Sequence, residues 1–159
     1  MNGRSSTALA KVERHLSVFA EDPNWQRIWL NLESQSWHSL AVVPAGERSS
    51  IELVHALAAV AWHQRSTPVI VADLRNLNLA GLAAARSEIR RRVEVGERVL
   101  IGMNSINGNP TSSAVAREAD RVILCVHLGL TLRSQLKQTI RELGTQNCLG
   151  SILFGLKKR

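Results

Sequence analysis

The stretch with the most chemical promise is Pro44-Ala45-Gly46-Glu47-Arg48-Ser49-Ser50, which lies between an apolar run at Ser39–Val43 and a helical pattern beginning at Ile51. A loop that leads from a strand into a helix presents backbone N–H groups and the positive end of the helix dipole, the combination that cradles phosphate. Other reactive side chains do not assemble. His15, His38, His55, His63 and His127 lack metal-ligand spacing to one another or to Cys125 and Cys148. His55 and His63 fall on one side of a helix, about two turns apart, without further ligands. Ser113 and Ser134 have no neighbouring histidine–carboxylate arrangement, so nucleophilic catalysis has no support. Each cysteine sits in an apolar segment and reads as a buried reduced thiol.

The elements that must position the loop follow from period and punctuation. Ser39–Val43 is a strand, and Ser49 or Ser50 caps a helix in which Ile51, Leu53, Val54, Leu57, Ala58 and Ala61 recur. Pro68 opens a second strand at Val69–Leu74, and Gly81 to Val95 reads as a helix stopped by Gly96. Arg98–Met103 is a third strand, Asn104–Pro110 a loop and Ser112–Glu118 a short helix. Arg121–Leu128 forms a fourth strand, Thr131–Leu143 a helix ended by Gly144, and Leu149–Phe154 a fifth strand. Apolar strands alternating with helices require a parallel sheet covered on both faces. The expectation is an α/β, three-layer domain over residues 25–159, with a mostly parallel sheet of about five or more strands. A partly helical N-terminal extension, residues 1–24, precedes it, with a helix around Leu9–Phe19. A chain of 159 residues fits one such domain.

With these elements in order, a family resemblance becomes visible. Trp25–Ser50, WQRIWLNLESQSWHSLAVVPAGERSS, resembles the start of the ATPase domain of bacterial tyrosine autokinases of capsule and exopolysaccharide synthesis. Those belong with the ParA/MinD class of P-loop ATPases, which have an R-x-N-L helix, a strand, a P-G-E-G-K-[ST] loop and an Ala/Leu-rich helix. Val69–Asn76 (VIVADLRN) is similar to the family's VLLIDADLR strand. Ala116–Thr131 (AREADRVILCVHLGLT) is similar to its ALADGVLLVVRAGLT segment, and Leu149–Gly155 (LGSILFG) to its LGVVLN strand. The resemblance implies a P-loop NTPase-like fold from about Trp25 to Gly155.

The departures fall on the family's working residues. Matching Gly46-Glu47 to the family's Gly-Glu puts Arg48 at the last loop glycine and Ser49 at the phosphate-binding lysine, leaving Ser50 as the metal-binding hydroxyl. A side chain at the glycine obstructs approach of phosphate, and loss of the lysine removes charge that stabilises the transferred phosphoryl group. Arg48 offers a substitute charge from a neighbouring position. In the second motif Val71 replaces the first aspartate, while Asp73 and Arg75 keep the later half. Gly102 stands where the third strand should end in aspartate. Magnesium on phosphates needs one or two carboxylates besides the hydroxyl. The family's tyrosine-rich tail has no counterpart, since the chain has no tyrosine. Its E-x-x-R-x-x-R assembly motif falls on Pro23, Gln26 and Trp29. The resemblance therefore implies no metal, no cofactor and no catalytic residue: a pseudo-ATPase.

Charge limits the partners. Net charge is +7 and the sequence pI is about 10.7, favouring nucleic acid or an anionic membrane surface. Arg90, Arg91 and Arg92, with Lys157–Arg159, supply much of the excess, without the interleaved aromatics of a single-strand-binding surface. Trp25, Trp29 and Trp37 cluster before the first strand and either pack a helix on the sheet or, with Arg90–Arg92, form a docking surface. The run Leu53–Trp62 is too short for a bilayer, which needs ~20 residues, and Met1–Thr7 does not open a signal peptide. The expectation is a cytoplasmic interaction or regulatory subunit of exopolysaccharide synthesis or export, peripheral at the inner membrane. Its partner would be the cytoplasmic part of a membrane co-polymerase or exporter, or a related ATPase, with a homodimer left open. The alternatives are a metal-independent nucleotide-binding switch of the ParA/MinD type and a basic nucleic-acid-associated protein.

Overall fold

A computed structural model describes residues 18–64 and 68–155. The expected helix at Leu9–Phe19 and the basic Lys157–Arg159 fall mostly or wholly outside the described residues, as does His15. Residues 18–21 are helical, followed by α1 (Pro23–Glu33), whose Asp22 cap accepts from Asn24 N at 2.8 Å ahead of Pro23.

The remaining elements alternate as expected: β1 (Ser39–Pro44), α2 (Ile51–Gln64), β2 (Val69–Asp73), α3 (Leu82–Glu94), β3 (Arg98–Gly102), α4 (Pro110–Glu118), β4 (Arg121–His127), α5 (Arg133–Leu143) and β5 (Cys148–Phe154). The five strands form one parallel sheet in the order β2-β3-β1-β4-β5. Helices cover both faces, so the chain is an α/β three-layer fold. Leu40 and Val42 point to the side of α1 and α2, with Trp29, Trp37, Leu53 and Leu57. Ala41 and Val43 point to the side of α3, α4 and α5, with Leu82, Ile101, Val115 and Leu124.

Element boundaries moved where a side chain offered a better end. The helix expected from Ser112 starts at Pro110, because Asn109 accepts from Ser112 N at 3.1 Å and proline suits the first helical position. The helix expected from Thr131 starts at Arg133, because Thr131 Oγ1 instead accepts from His127 N at 3.0 Å and closes a turn. In β5 the register skips Leu149 between Val122 and Ile123, and Gly150 takes φ 144 beside that bulge.

Candidate functional site

The order β2-β3-β1-β4-β5 sends the chain leftward from β1 and rightward from β4, so the switch point of the sheet lies beyond the carboxyl ends of these two strands. The loop 45–50 sits there. Ala45 N donates to Cys125 O at 2.9 Å, tying the loop to β4. Gly46 is buried; a Cβ on it would lie 3.0 Å from Thr131 Oγ1. Glu47 and Arg48 face solvent, Ser49 is half-buried and Ser50 is buried.

Ser50, the hydroxyl left for a metal, is directed elsewhere. Its Oγ accepts from Met103 N at 3.0 Å and lies 3.3 Å from Met103 O, while Ser50 N donates to Met103 O at 3.0 Å. Ser49, not Ser50, faces the helix start, with Oγ 3.4 Å from Ile51 N. The N–H groups of Ala45, Ser50 and Ile51 are thus all directed at protein acceptors, and Glu52 occupies the first turn of α2, where an anion would otherwise answer the dipole.

The third strand ends against the same helix. A Cβ on Gly102 would come within 2.7 Å of Ile51 Cδ1 and 3.4 Å of Ile51 Cα. A side chain at this position would require the Ile51 side chain to move. Val71 is half-buried against the α2 side of the core. Asp73 is bound at both oxygens by Arg75, whose Nε donates at 2.9 Å and Nη2 at 2.7 Å. That guanidinium holds the Asp73 carboxyl below its ordinary range. Asn104 Nδ2 donates to Arg75 O at 2.7 Å and closes the loop after β3 over the pair. Among the described residues, no three His, Cys, Asp or Glu side chains converge as a metal site. The residues present do not fit a magnesium nucleotide.

What remains at the switch point is a cleft of about 290 Å³ lined by Glu47, Arg48, His127, Leu130, Thr131 and Gln135, with Leu132 at its rim. His127 ends β4, with its ring edge-on to Phe154 at 5.6 Å between centroids. Burial, and then the Arg48 charge, lower its pKa, so the ring is neutral at pH 7. His127 was passed over in the sequence for lack of metal spacing. Its place as the last residue of an apolar strand was the signal that it belongs to the switch point.

The expected docking residues separate. Trp29 is fully buried, edge-to-face with Trp37 at 6.2 Å, so of its two expected roles it takes core packing and not the docking surface. Trp25 is half-buried between Phe19 and Phe154. Arg91 and Arg92 both bind Glu88, and Arg92 also reaches Glu97. Of the three arginines only Arg90 has no ion pair among the described residues. Cys125 is buried, its thiol pushed up to about 11 by burial, but Cys148 is half-exposed, against expectation. No family model, curated protein or solved structure matches the chain.

Proposed function

We propose that the chain is a non-catalytic relative of the ParA/MinD-class ATPases, nearest to the polysaccharide tyrosine autokinases, and serves as an interaction subunit. It neither hydrolyses ATP nor transfers phosphate. It works in exopolysaccharide synthesis or export at the inner face of the cytoplasmic membrane, against the cytoplasmic part of a co-polymerase or exporter.

One observation carries the loss of catalysis: the start of α2 is clasped onto the end of β3, Ser50 to Met103 and Ile51 to Gly102. Metal-assisted phosphoryl transfer needs an open hydroxyl and a carboxylate in that gap. Here the gap is filled by Ile51. The fold leaves a rigid sheet with helices outside, a scaffold suited to docking.

Calorimetry of purified protein with ATP and ADP, with and without magnesium, tests the catalytic half. The expected result is no heat of binding at millimolar nucleotide. Magnesium-dependent binding would overturn it; binding without magnesium, lost on Arg48→Gln, would instead favour an anion-operated switch. The docking half is tested with the isolated cytoplasmic segments of polysaccharide co-polymerases, and lack of affinity for any of them counts against it.

A further inference from the structure

The chain's charge is concentrated at one end of the sequence. Residues 121–159 carry seven Lys and Arg and one acid, Glu142, and so hold +6 of the net +7. Within that segment α5 places Arg133, Lys137 and Arg141 at i, i+4 and i+8, one above another on a single face about 12 Å long. All three are exposed, and none has an ion pair among the described residues. Leu136, Thr139 and Leu143 occupy the opposite, sheet-facing side.

The turn that feeds this helix is Leu128-Gly129-Leu130-Thr131-Leu132, and its leucines are 54%, 46% and 61% exposed. The backbone holds them outward. Leu128 N donates to Phe154 O at 2.8 Å, and Leu130 N and Thr131 N both donate to His127 O. Leu153 in β5 adds a fourth leucine, 63% exposed. Ile152 and Phe154 pack on the α1–α2 side, so alternation puts Leu153 on the side of α5. Exposed turns are normally polar, and leucines clustered there beside a row of cations need a partner that answers both.

Nucleic acid answers the cations and not the leucines; between Arg121 and Leu153 there is no Phe, Tyr or Trp on which a base could stack, and the His127 ring is buried edge-on to Phe154. A bilayer with anionic headgroups answers both, taking leucines at the acyl boundary and cations at the phosphates. We propose that the Leu128–Leu132 turn and the Arg133–Lys137–Arg141 face of α5 form one surface that binds anionic lipid membranes. This deepens the interaction reading by giving the chain its own hold on the membrane, but it stands on surface chemistry alone and is indifferent to the nucleotide site.

The test is sedimentation of the full chain with vesicles of phosphatidylcholine, with or without phosphatidylglycerol, in nucleotide-free buffer. Binding is expected only with phosphatidylglycerol, weakening as salt rises. Replacing Arg133, Lys137 and Arg141 by Gln weakens it by about fivefold per cation, and Leu128, Leu130 and Leu132 replaced by Ser weaken it at least as much. If the triple leucine variant loses its native circular dichroism, Leu130→Ser alone serves. Absence of binding at low salt overturns the proposal. So does a leucine variant that binds like the parent, and duplex DNA bound more tightly than vesicles would assign the face to nucleic acid. None of these outcomes depends on the nucleotide calorimetry, so the two readings fail separately.

Discussion

Ser50 and Met103 are joined by three hydrogen bonds: Ser50 N–H to Met103 O at 3.0 Å, Met103 N–H to Ser50 Oγ at 3.0 Å, and Ser50 Oγ–H to Met103 O at 3.3 Å. This pair joins the first turn of α2 to the end of β3, across the gap where a P-loop enzyme would keep metal and phosphate. Both residues are buried. A buried hydroxyl that satisfies a backbone N–H is structural chemistry, and its removal should act on stability before function.

Ser50→Ala leaves Met103 N–H buried without its acceptor, at a cost of about 1–3 kcal/mol. Urea unfolding followed by tryptophan fluorescence should show the midpoint falling, with nucleotide calorimetry unchanged. An unchanged midpoint would mean that Met103 finds another acceptor and that the clasp is dispensable.

Rebuilding the loop should not rebuild the site. Arg48→Gly with Ser49→Lys gives the loop the phosphate-binding pattern, yet no magnesium–ATP binding is expected, because Asp73, the carboxylate beside Gly102 in register, is held at both oxygens by Arg75. Adding Gly102→Asp should make matters worse: its Cβ would fall 2.7 Å from Ile51 Cδ1. Overpacking of that kind costs about 1–3 kcal/mol, before burial of the carboxylate is counted. Thermal melting and calorimetry on the same variants decide. Magnesium-dependent binding by the triple variant would mean that the Ile51 side chain moves aside easily.

The order of strands and helices was legible because each strand is a short apolar run bounded by Gly, Pro or Asn, and each helix keeps its period. What no local pattern carried was the distance between Ser50 and Met103, separated by 53 residues in sequence. Nor did the sequence disclose that Gly102 is glycine because Ile51 presses on it. Trp29 was ambiguous for a related reason: α1 exposes Leu30 and buries Trp29, and hydrophobicity alone does not say which.

His127 should make the fold acid-sensitive. Burial first, then Arg48, depress its pKa below 6.5, while Glu52 pulls the other way. The unfolded chain, with an ordinary histidine, takes up its proton at higher pH than the folded chain does. Stability from this group is therefore complete above pH 6.5 and is lost as pH falls through the depressed folded pKa. His127→Gln should flatten the stability profile between about pH 5 and pH 7. Arg48→Gln should move the His127 imidazole back toward its ordinary value in an NMR titration. If the parent and His127→Gln profiles have the same slope, carboxylates alone account for the acid sensitivity.

Trp29 gives a prediction that separates core from docking surface. Its ring is fully buried, and its Nε1–H has no acceptor among the described residues. Trp37, its edge-to-face neighbour, instead donates Nε1–H to Leu32 O at 2.7 Å. Trp29→Ala removes the ring and should destabilise by about 3–5 kcal/mol. Trp29→Phe keeps most of the aromatic volume and deletes an unpartnered donor whose burial costs about 1–3 kcal/mol, so the two effects oppose and the net loss should be small. Trp37→Phe deletes a satisfied donor, although the Leu32 carbonyl keeps its bond from Gln35 N at 3.1 Å, and should cost more than Trp29→Phe. Denaturant midpoints for the three variants give the ranking directly. If Trp29→Phe proves the more damaging of the two phenylalanine variants, the Trp29 indole has a partner in solution, and a water molecule bound between α1 and the sheet would be the first to look for.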